Sequence, residues 1–159
     1  IEQLNISHNG QTFVNLSGRK TVKNWDMNTG SLKATLPNPK DSQIAFTIFS
    51  QDGQNLLTNS WGSTKIWNLK TGELKTTIAT SDSQRSLAIS RDGQTLVSKS
   101  SGTLQLWDLK TGKYKTALVN SDDKEYVGSV AISPDGQTIV SSNWNSDNKP
   151  EKIKIWQMP

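Results

Sequence analysis

Short runs rich in valine, isoleucine, leucine, threonine and aromatic residues, each cut by a polar break, follow one another along the whole chain. Within Thr103 to Leu109 the pattern alternates. Leu104 and Leu106 fall on one side of an extended strand, and Gln105, Trp107 and Leu109 fall on the other. Large apolar groups on both sides predict a strand covered on both faces. The run belongs to a longer module, Ser90 to Gly112: an Asp92-Gly93 turn, a β-rich run, a Ser-Gly break, the Trp107 run and a Thr111-Gly112 turn. That module recurs along the chain. It predicts strands at Leu4–Ser7, Thr12–Leu16, Val22–Met27 and Leu32–Leu36, with Pro37 and Pro39 as the stop. A second set falls at Ile44–Phe49, Asn55–Thr58, Thr64–Leu69 and Leu74–Ala79, and a third at Ser86–Ile89, Thr95–Ser98, Thr103–Leu109 and Tyr114–Val119. A fourth set has only Val127–Ile132, Thr138–Ser142 and Lys152–Met158.

The first turn of each module has its glycine at Gly10, Gly53, Gly93 or Gly136, in steps of 43, 40 and 43 residues, each after a serine at Ser7, Ser50, Ser90 or Ser133. Tryptophans recur in phase at Trp25, Trp67, Trp107 and Trp156, and Thr29-Gly30, Thr71-Gly72 and Thr111-Gly112 follow three of them. A period of this length is that of a propeller blade. These residues resemble the WD-repeat β-propeller family, with Trp25-Asp26 and Trp107-Asp108 as its signature dipeptide and Asn68 and Gln157 as departures from it. Ser-Pro-Asp-Gly-Gln-Thr at 133–138 is similar to the turn of bacterial members, which often sit beside kinase or nucleotide-hydrolase domains in large signalling proteins. The resemblance covers the whole chain. It implies an all-β fold, one propeller segment over 1–159 with four blades of four antiparallel strands at about 1–38, 39–80, 81–121 and 122–159, forming about half of a seven- or eight-bladed ring.

Composition changes this picture little. At 159 residues and 32% apolar content the chain suits β-blades with polar turns. It has no cysteine, which excludes a disulfide framework or a cysteine-rich zinc site. No run approaches membrane-spanning length and no secretory signal pattern opens the chain, so a soluble, cytoplasmic protein is expected. The start at Ile1, directly in a strand pattern, suggests a piece of something longer. The net charge of +4 is spread over lysines at equivalent turn positions in different repeats, among them Lys70, Lys75, Lys110, Lys113 and Lys115, so a nucleic-acid surface is a minor alternative.

Family blades are often tied by a hydrogen-bonded network of histidine, aspartate, turn serine and tryptophan. Here the aspartate position holds Arg19, Trp61, Ser101 and Pro150, and the histidine position holds Lys40, Thr80 and Asp123, so packing and the strand ladder are expected to carry cohesion. Candidate chemistry is sparse. His8 sits beside a turn and has no partners for a triad; Asp52, Asp92 and Asp135 precede turn glycines, where aspartate bonds its own backbone. No glycine-rich loop leads into a helix, and no metal, cofactor or catalytic residue is assigned.

The two turn types barely change between repeats, whereas the segment between second and third strands differs every time: Ser17-Gly18-Arg19-Lys20, Ser60-Trp61-Gly62, Ser100-Ser101-Gly102, and the long stretch from Asn143 to Glu151. In the resembled family that loop face meets partners. Trp61 and Trp144 each lie eight residues after their turn glycine and are read as equivalent loop anchors, although either indole could instead fold back over its own strand ends. Arg19 and Ser101, with Arg85 and Lys149 near the same rim, complete the candidate face, the three charged side chains being read first as solvated charges. The expected function is a non-catalytic protein-binding scaffold or recognition segment of a larger bacterial signalling or regulatory protein, partnered by an unidentified protein and by remaining blades or a second copy. An enzyme or ligand-binding protein using a central channel is the alternative. In a half ring, the end blades would expose Val22 and Trp25 at one end and Ile153, Ile155 and Trp156 at the other.

Overall fold

The computed structural model describes residues 3–37, 43–80, 87–100, 102–119, 125–145 and 152–158, and these form strands and turns with no helix. Among the described residues fifteen strands run in chain order: β1 Gln3–Ile6, β2 Thr12–Ser17, β3 Thr21–Asp26, β4 Leu32–Pro37, β5 Ile44–Phe49, β6 Asn55–Ser60, β7 Ser63–Asn68, β8 Leu74–Ala79, β9 Leu87–Ile89, β10 Thr95–Ser100, β11 Thr103–Asp108, β12 Tyr114–Val119, β13 Glu125–Ile132, β14 Thr138–Asn145 and β15 Lys152–Gln157. Each sequence module folds as one antiparallel meander: β1-β2-β3-β4, β5-β6-β7-β8, β9-β10-β11-β12 and the three-stranded β13-β14-β15. The fold is thus all-β and built of propeller-type blades. The expected crossings near 38 and 121 lie outside the described residues. Two compact units result, Ile1–Ser83 with the first two sheets and Gln84–Pro159 with the last two.

Polar residues at fixed positions explain why each module turns where it does. Ser7, Ser50, Ser90 and Ser133 each accept from a backbone amide five residues on, at Thr12, Asn55, Thr95 and Thr138. The same hydroxyls donate to Asn9, Asp52, Asp92 and Asp135, whose Oδ1 also accepts the amide of the glutamine after the turn glycine. The aspartates therefore bond their own turn, as expected, and Asn9 performs the same service in the first repeat. At the second turn, Oδ1 of Asp26, Asn68 or Asp108 accepts the amide three residues later. Asn68 departs from the dipeptide yet keeps the carbonyl oxygen that the turn uses.

Sheet cohesion departs from the sequence expectation. Every repeat tryptophan donates its indole N–H to a polar side chain on the second strand: Trp25 to Asn15, Trp67 to Thr58, Trp107 to Ser98 and Trp156 to Ser141. Each acceptor lies five residues after its turn glycine. A bonded tryptophan thus ties third strand to second within each sheet, adding a side-chain device to packing and ladder. In the first three sheets a register shift sits just before the tryptophan, where β3, β7 and β11 meet their fourth strands.

Alternation gives every sheet a tryptophan face and a reverse face. In the first unit, reverse-face Val14, Leu16, Val22 and Leu36 pack with Phe49, Leu56 and Trp67 from the tryptophan face of the next sheet. In the second unit, reverse-face Val97, Leu104 and Leu106 pack with Ile139, Ile132 and Trp156 in the same sense. Polar bonds pin the first seam: Asn5 Nδ2 donates to Thr47, the Thr47 amide donates to Gln3, and Asn24 Nδ2 donates to the Leu69 carbonyl. Val22 is consequently buried at 0% exposure, not uncovered as expected, and Trp25 is half-buried and stacked on Phe13 at 6.0 Å. Trp156 likewise is half-buried against the third sheet, whereas Ile153 and Ile155 are exposed as expected.

Gly53 shows how closely the first seam fits. Its φ is +68°, and an added Cβ would lie 2.7 Å from Asn9 Nδ2, a side chain already held by Ser7 and the Gln11 amide. Gly136 has φ +72° at the equivalent turn but open space around it. Gly53→Ala is expected to cost about 1 kcal/mol more than Gly136→Ala in urea denaturation, because the second pays only for left-handed backbone. Equal losses would reject the close fit.

Candidate interaction face

In the first two sheets the turns between second and third strands lie at the opposite strand ends from the turns that follow Ser7 and Ser50. In the second sheet, Ser60 pairs directly with Ser63, so Trp61 and Gly62 form a two-residue hairpin tip with Gly62 at φ 76°. Trp61 is 66% exposed, one of the most open large apolar side chains described. In the first sheet, Gly18 and Arg19 both take positive φ, 59° and 52°. Arg19 is the only non-glycine residue to do so among those described, and a left-handed conformation there costs an L-residue roughly 1 kcal/mol. Its carbonyl holds the position by accepting from the Ile44 amide at 2.7 Å, and its guanidinium donates to Gln43. Ile44 in turn pairs with Ser60, the residue before Trp61. One hydrogen bond and one strand pairing therefore bring the strained arginine and the open indole to the same edge of the first unit.

The remaining candidates are placed differently. Trp144 lies on β14, opposite Tyr126, rather than in a loop, so it is not the equivalent of Trp61. The reason is local: Asn143 to Asn145 continue the ladder with Val127 to Glu125, and tryptophan favours a pleated strand. Arg85, Ser101 and Lys149 lie outside the described residues.

Charges elsewhere serve the sheets that carry them. Lys33 pairs with Asp26 at 2.8 Å, Lys75 donates to Asn55, and Lys115 donates to Thr95, all from the second position of a fourth strand. His8 is exposed at its turn. A shallow cleft of about 300 Å³ in the second unit lies between the turns of Asp92 and Asp135, beside Arg91 and Met158. Both carboxylates are engaged with their turn serines, and among the described residues no three histidine, cysteine, aspartate or glutamate side chains cluster to hold a metal. Among the described residues no helix is long and apolar enough to cross a membrane.

Hydrogen bonds depress four carboxyls below the usual aspartate value of 3.8: the Lys33 ammonium first for Asp26, the Ser90 hydroxyl for Asp92, the Thr111 amide for Asp108 and the Ser133 hydroxyl for Asp135. These bonds favour the ionised form.

Comparison with known proteins agrees with the geometry. Residues 72–108 and 113–149 match the family model described as WD domain, G-beta repeat. The first match starts at the turn before β8 and ends with β11, so the sequence repeat is staggered by one strand against the sheet. Among solved structures, a chain of Kuenenia stuttgartiensis hydrazine synthase aligns with 97% of this chain at a TM-score of 0.74 and 20% identity. This chain spans 45% of that one, and the likeness is one of fold. No curated protein matches.

Because the folded pKa values of the four aspartates are depressed, their contribution is full above about pH 4 and is lost as pH falls through each lowered value. Urea midpoints measured between about pH 5 and pH 2 are expected to fall with acid. Asp92→Asn keeps the Oδ1 acceptor, as Asn9 does, and is expected to make that fall shallower. An unchanged acid profile in the variant would contradict the assignment.

Proposed function

We propose that these WD repeats serve a non-catalytic protein-binding scaffold, the recognition segment of a larger bacterial signalling or regulatory protein working in the cytoplasm. WD40 domains generally mediate protein–protein contacts, and the chain carries WD-repeat sequence over residues 72–108 and 113–149. The observation that carries the proposal is that Trp61, 66% exposed at a hairpin tip, and Arg19, held in left-handed backbone, lie at the same edge of the first unit. Tryptophan and arginine are the favoured anchors of interfaces. Strain kept at an exposed turn is a mark of function rather than of stability. Arg85, Ser101, Trp144 and Lys149 are proposed as further contributors from the other repeats. Binding presents the loops rigidly, with little change in the sheets beneath.

Two substitutions separate function from folding. Trp61→Ala is expected to lower recovery of the bound partner from a bacterial lysate by roughly 30-fold or more, the effect of about 2 kcal/mol at a hot spot, while the thermal midpoint stays unchanged. Arg19→Asn places a residue that tolerates left-handed backbone at the turn, and is expected to leave stability equal or raised by up to about 1 kcal/mol while weakening binding. Retention of the same partners by both folded variants would reject this face. A steep fall of retention on DNA with rising salt would favour nucleic-acid binding instead.

A further inference from the structure

Charge in the first unit is sorted by strand end. Among the described residues of that unit the carboxylates are Asp26, Asp52 and Glu73, and all three lie at the strand ends that carry the turns after Ser7 and Ser50. Asp26 pairs with Thr12 at the start of β2, Asp52 stands between β5 and β6, and Glu73 stands between β7 and β8. Lysines accompany them there: Lys33 pairs with Asp26, and Lys75 donates to Asn55. The opposite strand ends, with the turns of Arg19, Lys20 and Trp61, hold two cations and no carboxylate among the described residues. Arg19 keeps its charge in its bond to Gln43, because that acceptor is a neutral amide. β2 and β6 are each six residues long, so the two ends stand about 17–20 Å apart, about two screening lengths at physiological salt. A ligand at the Arg19 end therefore meets the local positive charge and is screened from the carboxylates at the far end.

This sorting decides what an exposed indole at that edge receives. The ring of Trp61 offers an apolar surface and, in a neutral setting, a seat for a cation. Two cationic side chains on the same edge disfavour a cationic guest and favour an anionic one. We propose that the edge takes an acidic segment of a partner protein, with an apolar side chain against Trp61 and a carboxylate on the Arg19 guanidinium, whose paired N–H groups match the two carboxylate oxygens. The backbone beneath that guanidinium is already fixed by the bond between the Arg19 carbonyl and the Ile44 amide, so binding orders less of the chain. The inference rests on the interaction-face reading above and adds the chemistry of the partner. A nucleic-acid strand would also bring negative charge. Two cations, however, neutralise about two phosphates, a salt slope of about −1.4 on a single strand, well short of the roughly six to ten phosphate contacts of strong binders.

Panning a random display library of short peptides on the full chain reads the preferred chemistry directly. Clones are kept when they bind the parent and fail to bind Trp61→Ala. The expected clones carry more aspartate and glutamate than lysine and arginine, together with a leucine or an aromatic residue. The best clone is then synthesised as selected and with its acids changed to the matching amides, and both forms are titrated by fluorescence anisotropy. On the parent, the amide form is expected to bind at least tenfold more weakly than the acidic form. Arg19→Asp reverses the charge with a residue that tolerates left-handed backbone, so it is expected to keep the parent's thermal midpoint. It is expected to lose at least tenfold in affinity for the acidic form and little for the amide form. Clones without acidic bias, or equal binding of the two forms by the parent, would overturn the acidic partner and leave the face in place. Tighter binding of a single-stranded oligothymidylate than of the acidic clone would overturn it in favour of nucleic acid. A library in which every binder ignores Trp61→Ala would reject the face itself, and this inference with it.

Discussion

Burial of one sheet's reverse face beneath the tryptophan face of the next is the interaction on which the structure depends. A lone meander of this size has two apolar faces and cannot bury either by itself. Leu56, Leu96 and Ile139, all three residues after their turn glycines, are 0% exposed, as are Val22 and Leu104 across from them in the repeat. At roughly 25 cal/mol for each square ångström of apolar surface removed from water, each such side chain contributes about 2 kcal/mol. The polar bonds at the seam then fix which residues meet. Asn24 sits where other repeats have isoleucine or leucine, fully buried, with Nδ2 on the Leu69 carbonyl and no protein partner for Oδ1. Such a group costs stability and specifies alignment.

Inside each sheet, short polar side chains do for the turns what the apolar faces do for the seams. Serine, aspartate or asparagine and glutamine occupy the same offsets in every repeat, and each closes a backbone group that would otherwise stand unpaired. This rigid frame leaves the hairpin tips free to vary. Arg19 in strained backbone and Trp61 in solvent are tolerable because Gly18, Gly62 and the Ile44 amide hold the chain beneath them.

Much of this was legible in the sequence. Glycine and tryptophan spacing located the modules, and β5, β8 and β12 fall at their expected limits because both ends of each are marked by turn residues. Face assignment was less legible. Val22 and Trp25 were both expected to be uncovered, yet they lie on opposite faces of β3, and only packing reveals which face meets a neighbour. The indole acceptors Asn15, Thr58, Ser98 and Ser141 were missed although the signal was present: a polar residue recurs five places after each turn glycine, amid apolar neighbours. Trp144 stands in a polar stretch of loop composition, yet the long register of β13 with β14 draws its backbone into the ladder. Tertiary pairing overrides local composition there.

Leu106 and Ile155 test the seam most directly, since they hold the same repeat position, one residue before the tryptophan, in neighbouring sheets of the second unit. Leu106 is 1% exposed beneath the fourth sheet and Ile155 is 70% exposed. Urea unfolding of Leu106→Ala and Ile155→Ala compares a covered and an uncovered copy of one site. The account predicts a loss of about 2–5 kcal/mol for Leu106→Ala and less than about 0.5 kcal/mol for Ile155→Ala. Equal losses at the two positions would contradict it.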